Sequence, residues 1–220
     1  MSRLVVVYDS LIKDKQRDIY LNKIKKEITN LKIIDLRQKR EIPQFNKTKD
    51  KILLLKPLGY KHARRFNYDL LADNKQVDIE GAYSNQLSIT AEAIIKTLEY
   101  ELFNLDKKII MVINQSKTVG QSLVLELMRK HSNVISFNSS VTKTDLSKVV
   151  NGGKVDAIVT ASGNKDFKIC KSVAKNVRLI IDLSNDVDST TDAYIIRSIP
   201  TIDILKKRLE DKNWGYKNVY

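Results

Sequence analysis

Apolar residues fall along this chain in short uninterrupted runs, separated by longer stretches where they recur every three or four positions. The runs predict buried strands, and the spaced stretches predict helices with one face turned to a core. Positions 3–8 read as a strand, 14–29 as a helix, 31–36 and 51–56 as strands, and 61–72 as a helix. A long helix is predicted over 90–103, where Ala93, Ile94, Leu98 and Leu102 form a stripe at helical spacing. Beyond it the alternation becomes regular: strand 109–113, helix 120–130, strand 133–137, helix 145–150, strand 155–161, helix 166–174 and strand 179–183. Thr201 then caps a closing helix that runs to about Glu210.

Strands that alternate with helices imply parallel sheets joined by right-handed crossovers, so the predicted fold class is α/β. Two lobes are expected. Residues 1–103 form an N-terminal α/β lobe of catalytic type, closed by the C-terminal helix over 201–211, and residues 104–200 form a Rossmann-like dinucleotide-binding lobe with a parallel sheet. Only three prolines and seven glycines interrupt the chain, which fits short connections.

The formal net charge of +13 raises the question of a nucleic-acid partner. The lysines are dispersed with acids among them, however, as a solvated surface would have them. Basic and aromatic residues are dense only around His62, Arg64 and Arg65 and over 214–220, and neither segment matches a nucleic-acid module, so no such partner is expected. The single cysteine, Cys170, excludes an intramolecular disulfide and a cysteine metal cage, and it reads as core filler on a helix. No apolar run approaches the roughly 20 residues of a membrane span. The N-terminus lacks signal-peptide architecture, so a cytoplasmic protein with no metal and no membrane partner is expected.

Candidate chemistry concentrates at 107–120, KKIIMVINQSKTVG, where a strand hands over to a helix through a polar turn. Such a turn offers backbone N–H groups and a helix N-terminus to a phosphate. Further signatures are VDIEG at 77–81, SITAEAIIKTLE at 88–99, VDAIVTASG at 155–163 and RLIIDLS at 178–184. In this order they resemble the methylenetetrahydrofolate dehydrogenase/cyclohydrolase family. Asn114, Gln115, Ser116, Val119, Gly120 and Ser122 fall on its Gly-Arg-Ser-x-x-Val-Gly-x-Pro loop. Asp78 and Gly81 match its Lys-Asp-Val-Asp-Gly, Thr90 its Pro-Cys-Thr-Pro, Ser139 the position after the next strand, and Ile181 with Asp182 its Ile-Asp-Val-Gly.

The resemblance implies NAD or NADP held by Asn114, Gln115, Ser116, Gly120, Ser139 and Gly163 at the C-terminal ends of neighbouring parallel strands. Gly120 permits close approach, and Ser116 adds a hydroxyl donor. Asn114 replaces a glycine, a mild change because asparagine visits positive φ readily. Gln115 replaces the arginine that neutralises the NADP 2′-phosphate and brings no charge, while Lys117 stands nearby at a different position.

On the folate side the resemblance implies Tyr20, with a catalytic lysine four residues on, but that position is Ile24. Ile19, Leu21, Ile28 and Leu31 keep the family register, so Ile24 belongs to an Ile19-Ile24-Ile28 stripe and Lys23 lies about 100° around the helix. The family glutamine of the third strand is Leu55, followed by Lys56 and Pro57. Lys56 would serve as the amine only if the strand slipped by one residue. Lys23 and Lys56 are thus the candidate relocated amines. Glu80 takes the place of the pterin-binding carboxylate, with Pro57 and Thr90 as further substrate contacts. The family's glycine-rich closing loop is replaced by glycine-free residues 197–203. The resemblance implies a dimer that oxidises 5,10-methylenetetrahydrofolate with a nicotinamide cofactor and has lost cyclohydrolase action. The alternative is a catalytically silent homologue that binds a nucleotide or a partner protein.

Overall fold

Leu4, Val5, Val6 and Val7 lose all contact with solvent. They belong to β1 (Arg3–Tyr8), the middle strand of a three-stranded parallel sheet that also contains β2 (Leu31–Asp35) and β3 (Asp50–Leu54), in the order β2-β1-β3. A middle strand is covered on both faces, so an unbroken apolar run is the pattern it needs. The computed structural model describes residues 2–38, 45–47, 49–59, 68–188 and 193–215.

Between β1 and β2 runs α1 (Lys15–Glu27). Asp14 starts it by accepting the Arg17 amide at 2.7 Å, satisfying one of the donors a helix start leaves unpaired. Its buried face is Arg17, Leu21 and Ile24. The expected stripe through Ile19 is corrected here, because Ile19 is 42% exposed. Arg17 takes the inward position because its guanidinium reaches the Asp9 carbonyl at 2.7 Å and the Asp18 carboxylate. The helix expected over 61–72 is described only from residue 68 onward, where α2 spans Asp69–Ala72. The segment around His62 and residues 216–220 lie outside the described residues.

The chain divides into two compact units, residues 1–89 with 201–220, and residues 90–200. The division falls at residue 89, where the sequence reading put it at 103. The helix α3 (Ile89–Leu102) therefore runs almost wholly in the second unit, with Ala93, Ile94, Leu98 and Leu102 buried as expected.

The second unit contains a five-stranded sheet in the order β5-β4-β6-β7-β8, with every neighbouring pair parallel. Its strands are β4 (Ile109–Ile113), β5 (Asn133–Phe137), β6 (Ala157–Thr160), β7 (Leu179–Asp182) and β8 (Tyr194–Ile196). The crossovers carry α4 (Gly120–Arg129), α5 (Lys143–Gly152), capped by Thr142, and α6 (Lys171–Ala174). The helix expected over 166–174 shrinks to α6. The reason is competition from pairing: Ile169 bridges Val187 in extended form, and its amide donates to the Asp186 carbonyl at 2.8 Å. Cys170 is consequently half-buried at the start of α6, with its Sγ 3.2 Å from the Ser172 hydroxyl. Burial pulls its thiol up, but hydrogen bonds from Ser172 and the Val173 amide more than offset that, leaving it below the usual thiol value. The closing helix α7 (Thr201–Glu210) returns the chain to the first unit. Among the described residues no helix is long and apolar enough to cross a membrane.

Candidate functional site

In the second unit the turn from β4 into α4 is built on one side chain. Asn114 Oδ1 accepts the Ser116 amide at 2.8 Å and the Gly120 amide at 3.1 Å, while its Nδ2 donates to the Ala161 carbonyl at 2.6 Å. Asn114 is absent from the positive-φ residues among those described, so its role is capping, which corrects the expectation that it mimics glycine. Gly120 is required for a steric reason: a Cβ there would lie 1.8 Å from the Asn114 carbonyl oxygen. The Ser116 carbonyl accepts the Gln121 amide at 3.0 Å and its hydroxyl accepts the Val119 amide at 3.2 Å.

Four backbone donors of this turn are thus held within it. Among the described residues no acceptor is assigned to the Lys117 and Thr118 amides at its tip, and the Lys117 side chain is exposed. Gln115 is exposed, and its amide reaches only the Ser136 carbonyl, at 3.4 Å, and hydroxyl, at 3.3 Å.

Because the sheet is parallel, the residues that follow β4, β5, β6 and β7 share one edge. Ser139 lies just beyond β5, and Gly163 beyond β6 with φ +64° and open space around its missing Cβ. The loop of Gly163 is fixed by a buried carboxylate that sequence reasoning missed: Asp186 accepts from Thr160 Oγ1, the Ser162 amide and the Ser162 hydroxyl. Asp182 in turn accepts the amides of Asp186 at 2.8 Å and Val187 at 3.1 Å. Alternation of Asp and Ser after β7 is the signal for such side-chain-capped turns.

In the first unit, segment 78–87 presents Glu80. Asp78 is fully buried and accepts the amides of Gly81, Tyr83 and Ser84 and the Ser84 hydroxyl. It is therefore a structural carboxylate that shapes the loop, held above its usual range by burial against the pull of these donors. Glu80 keeps some accessible surface, but its carboxyl sits deep in protein and burial pushes it up to about 8, opposed by Arg208 and reinforced by Asp78. The Tyr20 hydroxyl faces Glu80 and Thr201, is buried without a hydrogen-bond partner among the described residues, and is raised well above the usual phenol range by burial and by Glu80.

Tyr20 lies near enough to Glu80 to feel its charge, and both candidate amines are exposed. Lys23 is exposed, whereas Ile24 is fully buried. The β3 register continues without a slip, as the Leu55 amide donates to the Val7 carbonyl at 2.9 Å, so Leu55 is buried and Lys56 is exposed. The Lys56 ammonium lies 5.2 Å from the centre of the Tyr83 ring. Pro57 follows Lys56 through a cis peptide bond and is exposed. Thr90 lies in the first turn of α3. Sequence reasoning also missed Arg208, whose Nη1 donates to the carbonyls of Ile79 and Glu80 at 2.9 Å each, and whose Nη2 donates to that of Leu87 at 2.8 Å. Its signal was an arginine in register with the apolar Ile204 and Leu205 on α7.

Residues 88–196, which hold the whole of this turn and sheet edge, match the family described as tetrahydrofolate dehydrogenase/cyclohydrolase, NAD(P)-binding domain. Residues 88–196 thus form an NAD(P)-binding domain of the tetrahydrofolate dehydrogenase/cyclohydrolase family. Bifunctional protein FolD of Dictyoglomus thermophilum is 25% identical over 160 residues, covering 67% of this chain and 53% of that protein. Bifunctional protein FolD of Clostridium botulinum (strain Okra / Type B1) is 32% identical over 129 residues, covering 54% and 44%. The chain spans about half the length of these curated relatives. The methylenetetrahydrofolate dehydrogenase-cyclohydrolase of Trypanosoma brucei, solved with NADP cofactor and inhibitor, superposes with a TM-score of 0.68 at 15% identity, covering 94% of this chain and 85% of that one. At that identity the likeness establishes the fold, and the family's NAD(P)-binding domain is the second unit's α/β architecture.

Proposed function

We propose that the chain binds a nicotinamide dinucleotide at the C-terminal edge of the second sheet and a reduced folate at Glu80, and that it oxidises 5,10-methylenetetrahydrofolate. The observation that supports this most is the Asn114–Gly120 turn, a polar turn held by the Asn114 side chain at the start of a helix within the family's NAD(P)-binding domain. The residues fit a pyrophosphate, with the Lys117 ammonium to offset charge and Ser139 and Gly163 on the same edge. When bound, the nicotinamide accepts the hydride that the folate methylene carbon gives up. The chain's own residues orient both ligands, and dehydrogenation depends mainly on that positioning. Glu80 meets the donor edge of the pterin, and its carboxyl, protonated in the free chain up to about pH 8, releases that proton to pair with the edge as a carboxylate.

Hydrolysis of the methenyl product belongs to a different residue set. Ile24 and Leu55 are buried apolar side chains where the family resemblance places a lysine and a glutamine, and Lys23 and Lys56 are both exposed. We therefore assign dehydrogenase without cyclohydrolase action; the family resemblance adds a cytoplasmic homodimer to this reading. The second reading, a silent nucleotide-binding homologue, draws on the same two residues together with the self-capped turn. Formation of reduced nicotinamide from 5,10-methylenetetrahydrofolate by the purified chain separates the two readings.

A further inference from the structure

Arg208 projects from the buried face of α7 and is almost wholly enclosed. Its guanidinium donates to three carbonyls of segment 78–87, those of Ile79, Glu80 and Leu87. The same group lies 4.2 Å from the centre of the Trp214 ring, and Trp214 Nε1 donates to the Asp78 carbonyl at 3.2 Å. Gly215 closes the arrangement, since a Cβ there would lie 2.5 Å from the Gln76 amide nitrogen. One residue of α7 and the turn that follows it therefore grip both ends of the segment that presents Glu80. The groups around the Glu80 carboxyl are Arg208 from α7, Asp78 and Tyr83 from its own segment, Tyr20 from α1 and the Ile89 amide at the start of α3.

We propose that Arg208 is a positioning residue for the Glu80 carboxyl, fixing the 78–87 segment and supplying the positive charge that decides in which protonation state Glu80 meets a ligand. A planar fork suits this task because it serves several carbonyls at once and stays charged at any accessible pH. Hydrogen bonds to carbonyls leave a guanidinium its charge, and that charge favours the carboxylate form of Glu80. Of the groups around Glu80, Arg208 and the Ile89 amide favour the carboxylate, and Asp78 and the two phenols oppose it once ionised. The role rests on the folate reading for the identity of the ligand, but the grip on Glu80 stands without it.

The test is the titration of Glu80 in the full chain, followed by ¹³C NMR of labelled glutamate and assigned with Glu80→Gln. Arg208→Gln is expected to raise the midpoint by about one pH unit, a tenfold gain in proton affinity, and Arg208→Lys to recover more than half of that change. Where Arg208→Gln does not fold, Arg208→Met, which keeps the length of the side chain but carries no charge, is expected to move the midpoint in the same direction. A midpoint that stays in place while the melting temperature falls shows a merely structural arginine and overturns the proposal. Titration with tetrahydrofolate is run alongside. A wild-type chain that ignores tetrahydrofolate while its Glu80 midpoint still follows Arg208 supports the positioning role and removes the folate reading.

Discussion

Asn114 Oδ1 holds the Gly120 amide at 3.1 Å, so a side chain from the end of β4 caps the first turn of α4. Asn114→Ala would leave the Ser116 and Gly120 amides and the Ala161 carbonyl without this partner. The variant is expected to lose about 1–3 kcal/mol of stability, the usual cost of partly buried polar groups left unpaired. Urea unfolding measures the loss, and an unchanged midpoint would show that water replaces the carboxamide.

Two glycines on the same sheet edge should respond differently. Gly120→Ala forces a Cβ against the Asn114 carbonyl, at 1.8 Å before relaxation, and backbone on both sides must move. A loss of about 1–3 kcal/mol and weaker dinucleotide binding are expected. Gly163→Ala meets no atom within 4 Å and bears only its φ of +64°, which costs roughly 1–2 kcal/mol. Dinucleotide affinity should fall further for the first variant than for the second, and the reverse order in calorimetry would misplace the phosphate.

Glu80 links stability to pH. Its carboxyl is raised by burial to about 8 from an ordinary 4.5, so the folded chain holds a proton that the unfolded chain releases. Between those values the native state binds more protons than the unfolded state, and stability falls as pH rises through the window. The contribution is intact below the unfolded value and lost above the folded one. Glu80→Gln, which stays neutral, should flatten that slope between pH 5 and 8 (roughly the span of the shift). A wild-type and variant pair with parallel profiles would place the carboxyl in solvent.

Nucleotide choice follows from Gln115, which is exposed, uncharged and bonded only weakly to Ser136. NAD is expected to bind at least as tightly as NADP. A tenfold preference for NADP, about 1.4 kcal/mol, would mean that Lys117 or another cation holds the 2′-phosphate.

The strands of both sheets were legible because parallel strands need long apolar runs, and nothing competes with that reading at Arg3–Tyr8 or Ile109–Ile113. The edge strand Tyr194–Ile196 was not legible: three residues, half-exposed, give no period to detect. Residues 166–170 carried a helical pattern but were claimed by the Ile169–Val187 bridge, a contact between distant positions that no local window shows. At the candidate site, the burial of Ile24 and exposure of Lys23 followed from helical spacing, since their side chains point about 100° apart. Arg208 was hidden because it sits among Lys206 and Lys207 and reads as one more surface cation. Its function depends on three carbonyls more than 100 residues away, with separations of 129, 128 and 121.

The most direct measurement of the account is the ultraviolet absorbance of reduced nicotinamide when the purified chain is mixed with 5,10-methylenetetrahydrofolate and NAD, followed by the absorbance of the methenyl product. The account predicts that reduced nicotinamide accumulates together with 5,10-methenyltetrahydrofolate, which then decays no faster than without protein. Methenyl decay accelerated by the roughly 10²–10⁴-fold of a working acid-base group would contradict the loss of cyclohydrolase action. No reduced nicotinamide with either NAD or NADP would contradict the dehydrogenase assignment itself.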